Sequence, residues 1–294
     1  GSRGKGSKRG GKKANNRGCR LDSFKGHLLY VGVGKSLVAK SGDFFNEQHG
    51  VGVTMTSLAS GLKGVGLYDI GREGKWYMQN LPSLLPPVSL LSNLSTNCNP
   101  IRVLDMCCAP GGKTNHLACI LRDLGYKTDT LTCIDRSKKK MQEVREMLER
   151  AGFGDVTTLA GDSTSILGDD TTPEPVFERG LVNKVKKFPP KSFTHILLDP
   201  PCSALGLRPR LHLPGSDDVC DFKDYQGGFM RAAAGLVKQG GFVTWSTCTW
   251  NPQENEEAVA RFRDDFGFEV VDVGVEGYGR DGIDACGLAD EEKG

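Results

Sequence analysis

Residues 105–114 read DMCCAPGGKT, and this stretch decides the fold. It closes the apolar run RVLDMC at 102–107 and opens a stretch of helical character at 112–124. A strand end, a Pro-Gly-Gly turn and a helix start in succession let backbone N–H groups at a helix N-terminus approach a bound group closely. Working outward, further short apolar runs alternate with helical stretches, which predicts an α/β sheet of mostly parallel strands. Strands are expected at 102–107, 130–135, 156–162, 194–200 and 241–248, with 268–273 as a sixth. Helices are expected at 112–124, 137–151, 225–238 and 253–266. The segment 163–191, rich in Pro, Asp and Lys, is expected to be a surface loop inserted between strands. Its Arg179, Lys184, Lys186, Lys187 and Lys191 form either a patch for nucleic acid or a solvated loop face.

Upstream, residues 24–70 carry many glycines between FKGHLLYVGVG and VGVTMTS, the pattern of short antiparallel strands or hairpins. The stretch 83–100 reads as a connector or short helix before the sheet. The whole chain has 294 residues, 38% hydrophobic and 25% charged, which describes an ordinary soluble protein and excludes collagen and wholesale disorder. No stretch approaches the roughly 20 apolar residues of a membrane-spanning helix, and the basic start has no apolar run behind it to make a signal peptide. The protein is therefore expected inside the cell. Residues 1–20 hold eight basic residues and no acid, leaving 30 basic against 36 acidic residues elsewhere. Such a run attracts a phosphate backbone or is simply a solvated terminus. The ten cysteines show no CxxC spacing, so they read as free thiols and no metal site is expected.

Two sequences suggest a nucleotide-binding P-loop, GKS at 34–36 and GKT at 112–114, yet Leu29 and Cys107 stand where its first glycine is required. ATP hydrolysis is thus not expected. Successive strands end in acids instead. Asp135 lies 24 residues after Gly111, where a carboxylate accepts hydrogen bonds from ribose hydroxyls, and Asp162 is placed to take an exocyclic amine. Each acid alone also reads as a helix N-cap or loop residue; together they favour an adenosine-containing cofactor. The fourth and fifth strands each end in a cysteine: Cys202 beside Asp199, and Cys248 within STCT. A lone cysteine is ordinarily a small buried hydrophobe, but two at neighbouring strand ends point to catalysis.

DMCCAPGGKT at 105–114, DPPCS at 199–203 and STCT at 246–249 resemble, in this order, motifs I, IV and VI of the Sun-domain family of RNA cytosine-5 methyltransferases. Gln79, Asn80, Leu81 and Pro82, and GLRPR at 206–210, also look like that family. The similarity covers roughly residues 72–273. It is closest to the family's PUA-containing, tRNA-modifying sixth member, and residues 24–56 look like the last part of that PUA domain. The resemblance implies a Rossmann-like S-adenosylmethionine-dependent methyltransferase domain at 71–294, a truncated PUA-like β segment and linker at 24–70, and a basic, Gly-rich disordered segment at 1–23. The family's final strand has no expected counterpart, since 274–294 is rich in Gly, Asp and Glu. Cys108 and Pro201 stand where the family has alanine.

By the same resemblance, Cys248 is the nucleophile, because a thiolate adding to carbon 6 of cytosine makes carbon 5 able to attack a methyl sulfonium. Asp199 binds or protonates N3, Cys202 acts in release, and Lys113 lies between cofactor and substrate. The implied cofactor-binding set is Cys107, Cys108, Ala109, Pro110, Gly111, Gly112 and Lys113 with Asp135, Asp162 and Asp199. DNA cytosine-5 methyltransferases use the Pro-Cys of motif IV as nucleophile, which here is Cys202; the second cysteine in STCT favours RNA. The expected function is RNA cytosine-5 methylation, in tRNA, on single-stranded or distorted RNA. The alternatives are a catalytically inactive RNA-binding protein or an enzyme acting on rRNA. A cytoplasmic location is expected, with nuclear or nucleolar as alternatives; no membrane partner is expected, and oligomeric state is left open.

Overall fold

The computed structural model describes residues 27–29, 37–39, 77, 79, 81–92, 94, 100–206 and 216–271. In the N-terminal part, β1 (His27–Leu29) and β2 (Leu37–Ala39) pair antiparallel, the hairpin pattern expected there. The basic segment 1–23, Asn80, residues 207–210 of GLRPR and residues 272–294 lie outside the described residues. A short helix, α1 (Leu85–Leu91), precedes the sheet, with Pro86 and Pro87 in its first turn, where an absent N–H leaves no hydrogen bond unmade.

From there the chain alternates as the sequence predicts: β3 (Val103–Asp105), α2 (Gly112–Asp123), β4 (Leu131–Asp135), α3 (Lys138–Arg150), β5 (Thr157–Ala160), β6 (Val182–Lys184), β7 (Phe193–Leu198), α4 (Ser216–Leu236), β8 (Val237–Trp245) and α5 (Glu256–Phe266). The strands lie in the order β6-β5-β4-β3-β7-β8, and every neighbouring pair is parallel. The chain therefore builds outward from β3 to β6, then crosses back to add β7 and β8 on the other side of β3. That reversal opens a crevice at the carboxyl ends of the strands, where ligands bind in sheets of this kind.

Side chains alternate across the sheet with a period of two, so each strand serves two cores. Val103, Leu131, Cys133 and Leu197 face one cluster with Leu90, Leu117, Met141 and Leu148. Leu104, Ile134, Leu159, Ile196 and Leu198 face the other with Phe229, Met230 and Phe262. The covering helices show the matching period: Thr114, Leu117, Ala118 and Leu121 are buried along α2, and Met141, Val144, Arg145 and Leu148 along α3. Each fully buried leucine contributes about 1.5–3 kcal/mol relative to exposure. Arg145 is tolerated inside because Glu149, the Val156 carbonyl and the Gly154 carbonyl all accept from its guanidinium.

Three expectations need correction. The segment 163–191 is not all loop: β6 lies within it and extends the sheet beyond β5. Residues 268–271 form no strand; after Gly267 caps α5 in the left-handed region, the Phe268 ring turns back onto Phe262 with centroids 5.3 Å apart. The helix expected from 225 begins at Ser216, and the strand expected from 241 begins at Val237, because α4 runs directly into β8. Among the described residues, no helix is long and apolar enough to cross a membrane.

Candidate active site

The 105–114 stretch makes the turn its sequence suggests. Asp105 ends β3 fully buried, its Oδ2 accepting from Thr114 Oγ1 at 2.7 Å. Burial pushes its pKa up to about 7, with the nearby Asp199 carboxylate adding to the rise. The Ala109–Pro110 peptide is cis. Gly111 follows at φ 103°, a conformation L-residues avoid, and a Cβ there would sit 2.5 Å from Met147 Cε. A Cβ on Gly112 would meet the Tyr77 ring at 2.9 Å and the Gln79 amide at 3.2 Å. Both glycines are thus required by close packing as α2 begins, and the packing brings Gln79 against the turn.

A cavity of about 320 Å³ opens beside this turn. Of the cofactor-binding residues expected from sequence, Cys107, Asp135 and Asp162 line it, together with Met106, Pro201 and Phe229. Asp135 holds the turn itself, accepting from Ala109 N–H at 3.3 Å and Ser137 N–H at 2.9 Å. Asp162 Oδ1 accepts from both the backbone and the hydroxyl of Thr164. Cys108 points elsewhere: its thiol meets Met141 Sδ at 3.3 Å in the core, and its N–H donates to the Ile134 carbonyl. Ala109, Pro110, Gly111 and Gly112 form the backbone arc between β3 and α2. The volume lies at the lower end of the range for small-molecule sites. Two acids at successive strand ends, an apolar wall and a glycine turn suit an adenosine-containing group.

Lys113 and Asp199 lie on the other flank, where the strand order reverses. Lys113 Nζ donates to Asp199 Oδ2 at 2.5 Å, and Ser246 Oγ donates to Asp199 Oδ1 at 3.0 Å. The carboxylate is thereby fixed between α2 and the end of β8. Beyond it the two cysteines converge: Cys202 Sγ and Cys248 Sγ are 3.2 Å apart, and the Cys248 N–H also donates to Cys202 Sγ at 3.4 Å. Cys248 is exposed and Cys202 half-buried. Hydrogen bonding from Cys248 lowers the Cys202 pKa to about 7, and the same bond, with burial, raises that of Cys248. The two thiols therefore titrate as a linked pair through the hydrogen bond between them. Cys107, Cys108 and Cys119 behave oppositely, pushed up by burial, Cys119 to about 12. Pro201, next to Cys202, forms part of the cavity wall, so the thiol pair adjoins the cavity.

Sequence reasoning missed Glu254, which ties the two cysteine loops together. It has no exposed surface. Its carboxylate accepts from Ser203 N–H at 3.0 Å, Ser203 Oγ at 2.5 Å, Gln226 Nε2 at 2.9 Å and Asn251 Nδ2 at 3.1 Å. Ser203 follows Cys202, and Asn251 is three residues past Cys248, so one buried acid anchors both loops. Gly206 adds a second tie: its N–H donates to the Cys248 carbonyl at 2.9 Å, and a Cβ there would come within 2.9 Å of that oxygen. Trp250 was also overlooked. Its indole is 64% exposed although its Nε1 is pinned to the Leu205 carbonyl at 2.8 Å. Apolar runs give sequence signals for the cores, whereas Glu254 and Trp250 have none beyond proximity to the STCT motif and Gly206 only its place at the head of GLRPR.

The chain is similar to known proteins over this same region. It is 30% identical to the "tRNA (cytosine(72)-C(5))-methyltransferase NSUN6" of Mus musculus, over 81% of this chain and 46% of that protein. It is 28% identical to the "rRNA (cytosine-C(5))-methyltransferase NOP2C" of Arabidopsis thaliana, over 82% of this chain and 50% of that protein. A solved structure, that of NSun6 from Pyrococcus horikoshii with SFG, aligns with a TM-score of 0.58 at 26% identity, covering 78% of this chain and 50% of that one. The chain spans about half the length of the curated relatives it matches. These likenesses bear out the resemblance read from the three motifs, including the similarity to the tRNA-modifying branch. Since the model described as "16S rRNA methyltransferase RsmB/F" matches residues 94–275, more than half of the sequence, the chain belongs to that family.

Proposed function

We propose that this chain is an S-adenosylmethionine-dependent RNA cytosine-5 methyltransferase acting on tRNA through a covalent bond between Cys248 and carbon 6 of the target cytosine. The observation that carries this reading is the convergence of Cys202 and Cys248 to 3.2 Å beside a cavity edged by Asp135 and Asp162. When bound, S-adenosylmethionine supplies an electrophilic methyl group. Asp135 and Asp162 would hold its adenosine end, with Met106, Cys107, Pro201 and Phe229 in the wall of its site. Lys113 and Asp199, already paired, share a proton between them and so bring a proton donor to N3 as electron density arrives there. Cys248 forms the bond to carbon 6; after transfer, carbon 5 gives up its proton and Cys248 leaves, with Cys202 acting in that release. The cytosine must leave its stack to reach the strand ends. The exposed Trp250 indole, two residues past Cys248, supplies a stacking face for a neighbouring base.

Similarity to NSUN6 supports tRNA as substrate, and similarity to NOP2C supports rRNA as a second reading. Such an enzyme works in the cytoplasm, or in the nucleus or nucleolus. Transfer of labelled methyl from S-adenosylmethionine to total tRNA and to rRNA tests both. Label is expected in tRNA 5-methylcytidine, lost in Cys248→Ala, with Cys202→Ala accumulating a denaturant-resistant protein–RNA adduct. Label in rRNA alone would move the substrate. RNA retention without any label would leave an RNA-binding protein.

A further inference from the structure

A thiol used as a nucleophile at neutral pH needs a base or a lowered pKa, since at an ordinary pKa near 8.5 only a few per cent is thiolate. The groups around Cys248 narrow the choice of base. Asp199 has both oxygens engaged, by Lys113 and by Ser246. Glu254 is enclosed by four donors. His116 and His195 are buried in the body of the domain, at 4% and 5% exposure. The Cys202 sulfur, 3.2 Å from Cys248 Sγ, is the acceptor at hand. Two backbone donors, the Cys248 N–H and the Ala204 N–H, point at it, and the Cys248 thiol lies within hydrogen-bonding distance. Such a set stabilises a sulfur anion.

We infer that Cys202 is the base that activates Cys248, its thiolate taking the Cys248 proton as Cys248 Sγ bonds to carbon 6 of the cytosine. The inference rests on the reading of Cys248 as nucleophile. In this step the Cys248 S–H bond breaks, and its electron pair forms the S–C6 bond. The C5–C6 π pair moves into the ring towards N3, where Asp199 and Lys113 meet it, and the proton ends on Cys202 Sγ. Because Cys202 is only half-buried, it can then lose that proton to solvent and recover the charge needed for release. The charged groups bearing on the pair are Asp199, which raises the Cys248 pKa, Lys113, which lowers it, and Glu254, which opposes charge on Cys202. Hydrogen bonding with the Cys248 thiol and from the two N–H groups outweighs burial and, to a lesser extent, Glu254, leaving Cys202 with a pKa of about 7.

The test is the pH dependence of adduct formation. The probe is a pool of tRNA transcripts carrying 5-fluorocytidine for cytidine, with S-adenosylmethionine; fluorine at carbon 5 blocks release, so the rate reports the steps up to methyl transfer. In the unaltered protein the rate is expected to rise with a midpoint near pH 7. In Cys202→Ser the midpoint should move to about 8.5, with a rate at pH 7 about tenfold lower or more and a gap that closes by about pH 9. A Cys202→Ser rate and midpoint equal to those of the unaltered protein would overturn the inference while leaving the methyltransferase reading intact. Adduct in Cys248→Ala but not in Cys202→Ala would reverse the nucleophile. No adduct in any protein would remove the enzyme reading itself. A second measurement needs no variant: iodoacetamide at pH 7 should alkylate Cys202 before Cys248, although Cys248 is the more exposed. Preferential labelling of Cys248 would place the charge on the wrong sulfur and overturn the proposal.

Discussion

Replacing Glu254 tests whether one buried acid sets the register of the two cysteine loops. Glu254→Ala strands four donors: the Ser203 N–H, the Ser203 hydroxyl, and the amides of Gln226 and Asn251. A hydrogen bond to a charged group contributes about 1.5–3 kcal/mol net, and a buried donor left unmade costs about 1–3 kcal/mol. Removing the carboxylate also relieves its desolvation, which offsets part of the loss. A net destabilisation of about 3–5 kcal/mol follows, as when one partner of a buried charged network is removed. Glu254→Gln keeps one oxygen, and the Ser203 hydroxyl can turn to accept from the new amide, so about 1–2 kcal/mol is expected. Stability is read by urea unfolding followed by far-UV circular dichroism. Function is read by single-turnover methyl transfer on folded protein, with cofactor affinity by calorimetry. Glu254 touches neither the cavity wall nor the cysteine sulfurs, so cofactor affinity should hold within a factor of about two, whereas loosening the loops by an ångström costs about 100-fold in rate. Unchanged stability in Glu254→Ala, or a rate loss matched by an equal loss of cofactor affinity, would refute the idea of a local tether.

Three other outcomes are expected. Trp250→Ala should raise the KM for RNA about 5- to 100-fold, the equivalent of about 1–3 kcal/mol of base stacking, with kcat little changed; indole fluorescence should quench on RNA addition in the unaltered protein. Gly206→Ala, whose Cβ would press on the Cys248 carbonyl from 2.9 Å, should slow methyl transfer while leaving S-adenosylmethionine binding intact by calorimetry. His195 is buried against Phe242 and its pKa is lowered by burial to about 4 from 6.5. Between those values the unfolded chain binds a proton that the folded one refuses, so stability falls as pH drops through 6.5 towards 4, by up to about 3 kcal/mol. In His195→Phe that dependence should be lost, so it should appear as the difference between the two urea-unfolding pH profiles. Asp105, whose pKa is raised, acts in the opposite sense over this range but is common to both proteins.

The order of strands and helices was legible because the central strands β3, β4 and β7 are buried on both faces and each covering helix on one. Val103, Leu104, Leu131, Ile134, Ile196 and Leu198 leave continuous apolar runs, and Met141, Val144 and Leu148 a helical stripe. β6 was not legible because Val182, Asn183 and Lys184 are three partly exposed residues at an edge, held by backbone pairing to β5 rather than by burial. The sixth strand expected at 268–273 fails at 268–271 for the converse reason: FEVV alternates as a strand should, yet Phe268 finds its apolar partner in Phe262 of the preceding helix. In the site, Asp135, Asp162, Asp199, Cys202 and Cys248 could be placed because each lies at or within four residues past a strand end. Glu254 could not: it sits among Asn251, Gln253, Asn255, Glu256 and Glu257, where acids ahead of a helix are commonplace and usually solvated. Its burial arises only when the 200–204 and 246–251 loops close over it.

The topology also explains why the chemistry needs both halves of the sheet. Asp135 and Asp162 end β4 and β5, on the half built outward from β3, and they border the cavity. Asp199, Cys202 and Cys248 follow β7 and β8, on the half reached only after the crossover. Beyond the β3–β7 pairing itself, side chains near the site also reach across the seam. Lys113, from the first helix of one half, grips Asp199 of the other, and Pro201 of the second half contributes to the wall of the first half's cavity. On the proposed reading, a methyl donor held by one half would meet a pyrimidine held by the other at the point where the strand order reverses. Their separation depends on the seam rather than on either binding surface. Lys113→Met should therefore lower the rate of methyl transfer more than the affinity for either ligand, because it removes the contact that holds the Asp199 carboxylate in place across the seam. An equal loss in cofactor binding, measured by calorimetry, would assign Lys113 to the cofactor instead and would undo this division of roles.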